Sequence, residues 1–216
     1  MVGLIGKKLG HTRIYDAEGK IVPVTVVLAG PNRVVQCKTV EKDGYSAVQL
    51  GFDDQKESRV NKALNGHFKK HNAAPVKKLR EFRDFSLEVK QGDVLNVDVF
   101  AQGDYVDCIG ITKGRGFEGV VKRYDFRGGP ATHGAKGWKR RTGALGCRLF
   151  PGTVAKGTKE PGHMGQVRRT VQNLQVAGVL PEDNVLLIRG SMPGSEGDYV
   201  IIRESKKKPK KAAAAK

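Results

Sequence analysis

Residues 21–29 read Ile21-Val22-Pro23-Val24-Thr25-Val26-Val27-Leu28-Ala29, with Gly19 before them and Gly30-Pro31-Asn32 after. β-branched side chains lose rotamer freedom in a helix and pack well on a pleated surface, so this run predicts a strand that ends in a turn. Proline has no N–H to give to a ladder, which puts Pro23 near the strand start or at an edge.

Outward from this strand the same character recurs. Residues 33–40 and 45–52 flank Lys42-Asp43-Gly44, and an Asp-Gly pair between two β-rich runs predicts a hairpin. Residues 60–71 are polar and at most helical, with Leu64 and Phe68 at i, i+4, and residues 76–85 turn extended after Pro75. Alternation over 94–100 and the β-rich run 105–112 predict two more strands, and 117–124 predicts a short helix with Phe117, Val120, Val121 and Tyr124 on one face. Residues 172–179 and 184–189 read as strands across Pro181-Glu182-Asp183, and 199–203 as the last. About eight short strands with little helix predict a mainly β fold with minor α, a barrel or a sandwich.

The segment 125–165 breaks this pattern. It is rich in glycine, contains Pro130, Pro151 and Pro161, and has almost no apolar periodicity. Structureless loops beyond roughly 12–15 residues are uncommon in compact domains, so the segment is either a flexible linker or a functional excursion. A linker should join two domains, and the stretch of chain after it is too short to be one. The expected organisation is therefore one discontinuous β-barrel body, 1–124 and 170–204, with a less regular, partly helical insertion at 60–85. A Gly-rich basic extension, 125–169, is inserted between strands, and a disordered basic tail occupies 205–216.

The charge map agrees. Of the formal net charge of +17, residues 122–169 carry +10: twelve Lys or Arg against Asp125 and Glu160. Residues 205–216 hold six lysines and no acid, which leaves the remainder of the chain at +1. Charge concentrated in one apolar-poor segment predicts a local polyanionic partner, with nucleic acid foremost. The cations expected to meet it are Lys122, Arg123, Arg127, Lys136, Lys139, Arg140, Arg141, Arg148, Lys156, Lys159, Arg168 and Arg169. Glycine suits such an arm because it lets backbone N–H groups approach phosphate closely.

Trp138, the only tryptophan, lies in Lys136-Gly137-Trp138-Lys139-Arg140-Arg141. A flanking of basic residues suits stacking on a base or ribose; the other reading is a tryptophan that caps the surface of the body. His133 and His163 each stand beside glycine and read as RNA contacts in preference to metal ligands. His67 and His71 have the i, i+4 spacing of a zinc pair but no third ligand or Glu base, and read as a solvated helix face. Cys37, Cys108 and Cys147 are odd in number and far apart, which argues against a disulfide framework or zinc site and for a reducing cytoplasm. No apolar run reaches the length of a signal peptide or a membrane helix, so neither export nor membrane insertion is expected.

Gly114-Arg115-Gly116-Phe117-Glu118-Gly119 is a literal G-x-G-x-x-G between a predicted strand and a predicted helix. A dinucleotide site needs a second strand ending in an acid about twenty residues on, and this chain has Trp138-Lys139-Arg140-Arg141 there. No other catalytic motif is present, and neither an enzymatic activity nor a cofactor is expected.

Several stretches resemble one family, the universal large-subunit ribosomal protein number three in its bacterial form. They are Gly3-Leu4-Ile5-Gly6-Lys7-Lys8-Leu9-Gly10, residues 23–31, Asp43-Gly44-Tyr45-Ser46-Ala47-Val48-Gln49-Leu50-Gly51 and Thr112-Lys113-Gly114-Arg115-Gly116-Phe117. The arm adds Ala131-Thr132-His133-Gly134 and Gly162-His163-Met164-Gly165, and Arg169-Thr170-Val171-Gln172-Asn173-Leu174 comes after it, so the likeness runs from Met1 to about residue 203. It implies a six-stranded translation-protein-type barrel and a non-catalytic constituent of the large ribosomal subunit in the cytoplasm. It also implies binding near the 3′ end of 23S rRNA, nucleation of subunit assembly, and contact with large-subunit proteins fourteen and nineteen. The extension would thread toward the peptidyl transferase centre with Gly146, Cys147, Arg148 and Leu149 at its tip. The chain departs from the family at His11, usually Met, at Lys159-Glu160-Pro161, and at Cys147, where many relatives carry a glutamine that some of them methylate. A general nucleic-acid architectural protein or chaperone shares the charge argument and is the alternative.

Overall fold

The computed structural model describes residues 1–208, so most of the predicted tail lies outside the described residues. The chain forms two compact units, one of residues 1–111 with 168 onward, the other of residues 112–167. Residues 112–124, read from sequence as body, fall in the second.

In the first unit, β1 (Gly3–Tyr15), β2 (Ile21–Leu28), β3 (Asn32–Lys38), helix α1 (Val40–Asp43) and β4 (Ala47–Asp54) come first. Helix α2 (Lys62–Lys70), β5 (Val76–Arg83), β6 (Val94–Leu95) and β7 (Tyr105–Ile111) come next. The second unit contributes β8 (Gly116–Glu118), α3 (Val120–Tyr124) and β9 (Gly162–Met164); the first resumes with β10 (Arg168–Leu180), β11 (Val185–Arg189) and β12 (Tyr199–Glu204).

Six strands close into a barrel in the order β1-β12-β7-β10-β11-β2, all neighbours antiparallel. The fold is mainly β, and the six-stranded barrel that the resemblance implies is present. Two 13-residue strands make closure possible. β1 gives Gly3–Lys7 to β12 and the rest to β2, while β10 gives its first half to β7 and its second to β11. Register shifts between Lys8 and Gly10, Val171 and Leu174, and Val176 and Gly178 mark where these strands bend, as bulges do at barrel corners. Pro23 sits where the β11 ladder has ended: the last β11 pair is Arg189 with Val24.

Leu4, Val27, Val106, Cys108, Leu186, Ile188, Val200 and Ile202 fill the barrel. A second sheet, β5-β4-β3-β6, packs against the barrel through Ile5, Val34, Leu50, Phe52 and Phe82. α2 lies on the same sheet through Phe68, which joins Val35 and Val76. Leu4 and Ile5 are adjacent, so they point to opposite faces of β1, and each enters a different core.

The expected hairpin across Lys42-Asp43-Gly44 forms, with β3 and β4 antiparallel; its connection carries the short helix α1, and Gly44, at φ 79°, is that helix's left-handed cap. Two sequence expectations need correction. Residues 94–100 are a two-residue strand followed by a 3₁₀ turn at Val97–Val99, because Val97 and Phe100, three apart, both enter the barrel core. The predicted helix at 117–124 begins only at Val120; Phe117 lies in β8, paired with His163, and is 78% exposed.

Candidate nucleic-acid interface

The second unit is held by its own backbone. At its root Thr112 N–H donates to the Val167 carbonyl (3.0 Å), Gln166 N–H to the Thr112 carbonyl (3.1 Å) and Arg115 N–H to the Met164 carbonyl (2.9 Å), after which β8 pairs with β9. Gly165, at φ 81°, is required here, since a Cβ would stand 2.2 Å from the Lys113 carbonyl oxygen. The glycine-rich motif at 114–119 therefore belongs to a strand and the cap of a five-residue helix, not to a phosphate loop.

Arg123 ties the two ends of the excursion. Its guanidinium donates to the Glu160 carbonyl (2.7 Å), lies 5.0 Å from the Tyr124 ring centroid, and fills the space that a Cβ on Gly162 would need. Lys159 approaches the same ring at 5.7 Å. Lys122 pairs with Glu118 at 2.5 Å, the one salt bridge inside this unit among the described residues.

Farther along, residues 128–129 run against 138–139, and Gly129 N–H donates to the Lys139 carbonyl (3.1 Å). Trp138 is 54% exposed and carries the Arg141 guanidinium 5.6 Å from its ring centroid; with Phe126 and Arg127 it lines a shallow hollow in this unit. The tryptophan is thus presented within the excursion, half open to solvent.

Between Asp125 and Glu160 there is no acid, and the eight cations Arg127, Lys136, Lys139, Arg140, Arg141, Arg148, Lys156 and Lys159 are all exposed. His133 and His163 are exposed as well. Gly146, Cys147, Arg148 and Leu149 are exposed in a turn region where Leu149 and Phe150 reach 94% and 88%. Arg168 and Arg169, also exposed, belong to the first unit, where they open β10 opposite Ile111 and Gly110. The structure thus places the cations of 122–159 and Trp138 in one unit, with Arg127 and Arg141 beside the tryptophan, and assigns the last two to the barrel unit.

His67 is half-buried and turned toward β4, not on a fully solvated helix face. Its Nε2 hydrogen-bonds Gln49 Oε1 at 2.7 Å, and burial, with the nearby His71, Lys38 and Lys70 charges, holds its pKa below the ordinary imidazole value. Burial pushes the Cys108 thiol far up, as expected for a residue that fills the barrel core.

One unit carries exposed cations between Asp125 and Glu160 that form no salt bridge among the described residues, with an open aromatic among them, and the other is a barrel with its own core. These are the features of the class of polyanion-binding scaffold proteins. Similarity to known proteins narrows this class. The model of the family "Ribosomal protein L3" matches residues 75–181. The large ribosomal subunit protein uL3 of Deinococcus radiodurans is 48% identical over 216 residues, spanning 100% of this chain and 99% of the relative. That of Akkermansia muciniphila is 51% identical over 210 residues, 96% of this chain and 99% of the relative. The chain belongs to the ribosomal protein L3 family. Membership makes it a structural constituent of the large ribosomal subunit, in the cytoplasm, and not an enzyme.

Proposed function

We propose that this chain is an RNA scaffold that binds near the 3′ end of 23S rRNA, nucleates assembly of the large subunit, and sends its excursion toward the peptidyl transferase centre. Large-subunit proteins fourteen and nineteen are its protein neighbours. Lys122, Arg123, Arg127, His133, Lys136, Trp138, Lys139, Arg140, Arg141, Arg148, Lys156, Lys159, His163, Arg168 and Arg169 form the RNA contact, and Gly146, Cys147, Arg148 and Leu149 the inner tip.

The observation that carries the reading is the acid-free run between Asp125 and Glu160, whose eight cations are all exposed. Each phosphate neutralised releases condensed counterions, with a salt slope of about −0.7 to −0.9 per contact. Eight contacts thus supply most of the affinity at low salt without reading sequence, and Trp138 adds stacking of about 1 to 3 kcal/mol.

The test is binding of the full chain to a transcript of the 3′ part of the large-subunit RNA over a series of salt concentrations. Replacing Lys139, Arg140 and Arg141 together by alanine should flatten the slope by about 2 to 3, while Trp138→Ala weakens binding at constant slope. An unchanged slope refutes the assignment. Equal affinity for duplex DNA and ribosomal RNA at fixed salt would favour a general architectural protein.

A further inference from the structure

The first unit has a basic feature of its own, hidden by the near-neutral charge of the body as a whole. Residues 56–83 carry nine Lys or Arg against two acids, Glu57 and Glu81. Part of this charge sits on β5, whose outer side is a free sheet edge, with Lys77, Lys78 and Arg80 exposed. Lysine on an edge strand guards against strand addition, which explains charge there but not its convergence on a groove.

That groove, of about 250 Å³, opens where β5 comes alongside the end of β7, the start of β10 and the start of β12. Lys78, Arg80 and Arg168 line it, and Ile109, Ile111 and Tyr199 supply its apolar surface. Lys78 stands over the Tyr199 ring at 5.1 Å. Among the described residues no salt bridge engages Lys78, Arg80 or Arg168. Asp198, the one carboxylate of the lining, already accepts the Ser195 N–H at 2.6 Å.

Three like charges around one small cavity repel one another, and an anion between them relieves that cost. The cavity falls below the roughly 300–1,000 Å³ of sites for larger organic ligands, so it fits one flat group with a charged appendage. A nucleotide has that amphiphilic form, and proteins that read folded RNA take up unstacked nucleotides on such surfaces. We infer that the groove between β5 and the barrel is a second RNA site, holding one unstacked nucleotide. Lys78, Arg80 and Arg168 grip its phosphate, and Ile109, Ile111 and Tyr199 meet the base or ribose. The inference rests on the reading that the chain binds RNA, and it adds a contact to the excursion.

The test uses the full chain, the same 3′ transcript, and nucleotide-resolution footprinting. Replacing Lys78, Arg80 and Arg168 together by alanine should flatten the salt slope by about 2 to 3 and expose a discrete protected nucleotide that the Lys139/Arg140/Arg141 variant leaves protected. Ile111→Ala, at a half-exposed position, should weaken binding several-fold at constant slope. All three cations are exposed, and an unchanged thermal midpoint verifies the fold. A wild-type slope and footprint in the groove variant overturns the inference even if the excursion variant behaves as proposed. So does intact RNA binding with loss of a protein from reconstituted subunits, which would assign the groove to an acidic protein segment. A wild-type chain that does not bind the transcript defeats the RNA reading itself, a distinguishable outcome.

Discussion

Three glycines of the excursion separate backbone strain from steric exclusion, and their alanine variants should rank in a fixed order. At Gly137 nothing lies within 4 Å of an added Cβ, and φ is outside the left-handed region. Gly134 has equally open surroundings but φ 81°, so alanine there meets only left-handed strain, about 1–2 kcal/mol. Gly128 combines φ 74° with a Cβ position 2.1 Å from the Lys139 carbonyl oxygen. Relaxed carbon–oxygen contacts are about 3.3 Å or longer, so that carbonyl must retreat by about 1 Å, and the Gly129 N–H bond it accepts is lost. With the crossing intact in the RNA-bound form, Gly137→Ala should bind the transcript like wild type. Gly134→Ala should bind about 5- to 30-fold more weakly, and Gly128→Ala more weakly still. Binding isotherms give the order, the Gly129 amide resonance reports the crossing, and the thermal midpoint of the barrel unit should not move. Wild-type affinity for Gly128→Ala, or an unshifted Gly129 amide in that variant, would refute the reasoning.

Two further outcomes concern the barrel-and-sheet unit. Phe68 is 1% exposed between Val35 and Val76, so Phe68→Ala should destabilise this unit by about 3–5 kcal/mol in denaturant titration while leaving the salt slope of RNA binding unchanged. His67 has a folded pKa below its unfolded value of 6.5, so the unfolded chain takes up the proton first. Its contribution to stability is complete above that value and is lost as pH falls through the folded pKa. The thermal midpoint should therefore decline as the solution is acidified below about pH 6.5, and His67→Gln should make that decline shallower.

How much of the fold is legible in the sequence depends on how local each signal is. The run at 21–29 is apolar, β-branched and cleanly bounded, and it forms β2. β1, equally central to the barrel, has no such signature, because Gly3, Gly6 and Gly10 with Lys7 and Lys8 interrupt the pattern. The glycines let neighbours approach: a Cβ on Gly6 would stand 2.7 Å from a methyl of Val27, a contact set by the β1–β2 pairing and not by local sequence. Arg168 and Arg169 similarly disguise the start of β10, which ladders with β7 from its first residue. Phe117 reads as part of a helix face because its spacing to Val120, Val121 and Tyr124 is helical; its pairing with His163 spans 46 residues and has no local signature.

The cations of the excursion are legible because they are contiguous and no acid intervenes, whereas the groove between β5 and the barrel is not. Lys78 and Arg80 lie on one strand and Arg168 on another far along the chain, so no single window of the sequence brings the three together. Net charge is a sum over sequence; a binding surface is a sum over space. Asp198 lines the same groove and keeps its negative charge while accepting the Ser195 N–H, so the lining still holds three cations against one carboxylate, and Lys78, Arg80 and Arg168 form no salt bridge among the described residues. On the proposed reading, the near-neutral body takes its own part in holding RNA, one set by which charges the fold pairs internally and which it leaves exposed.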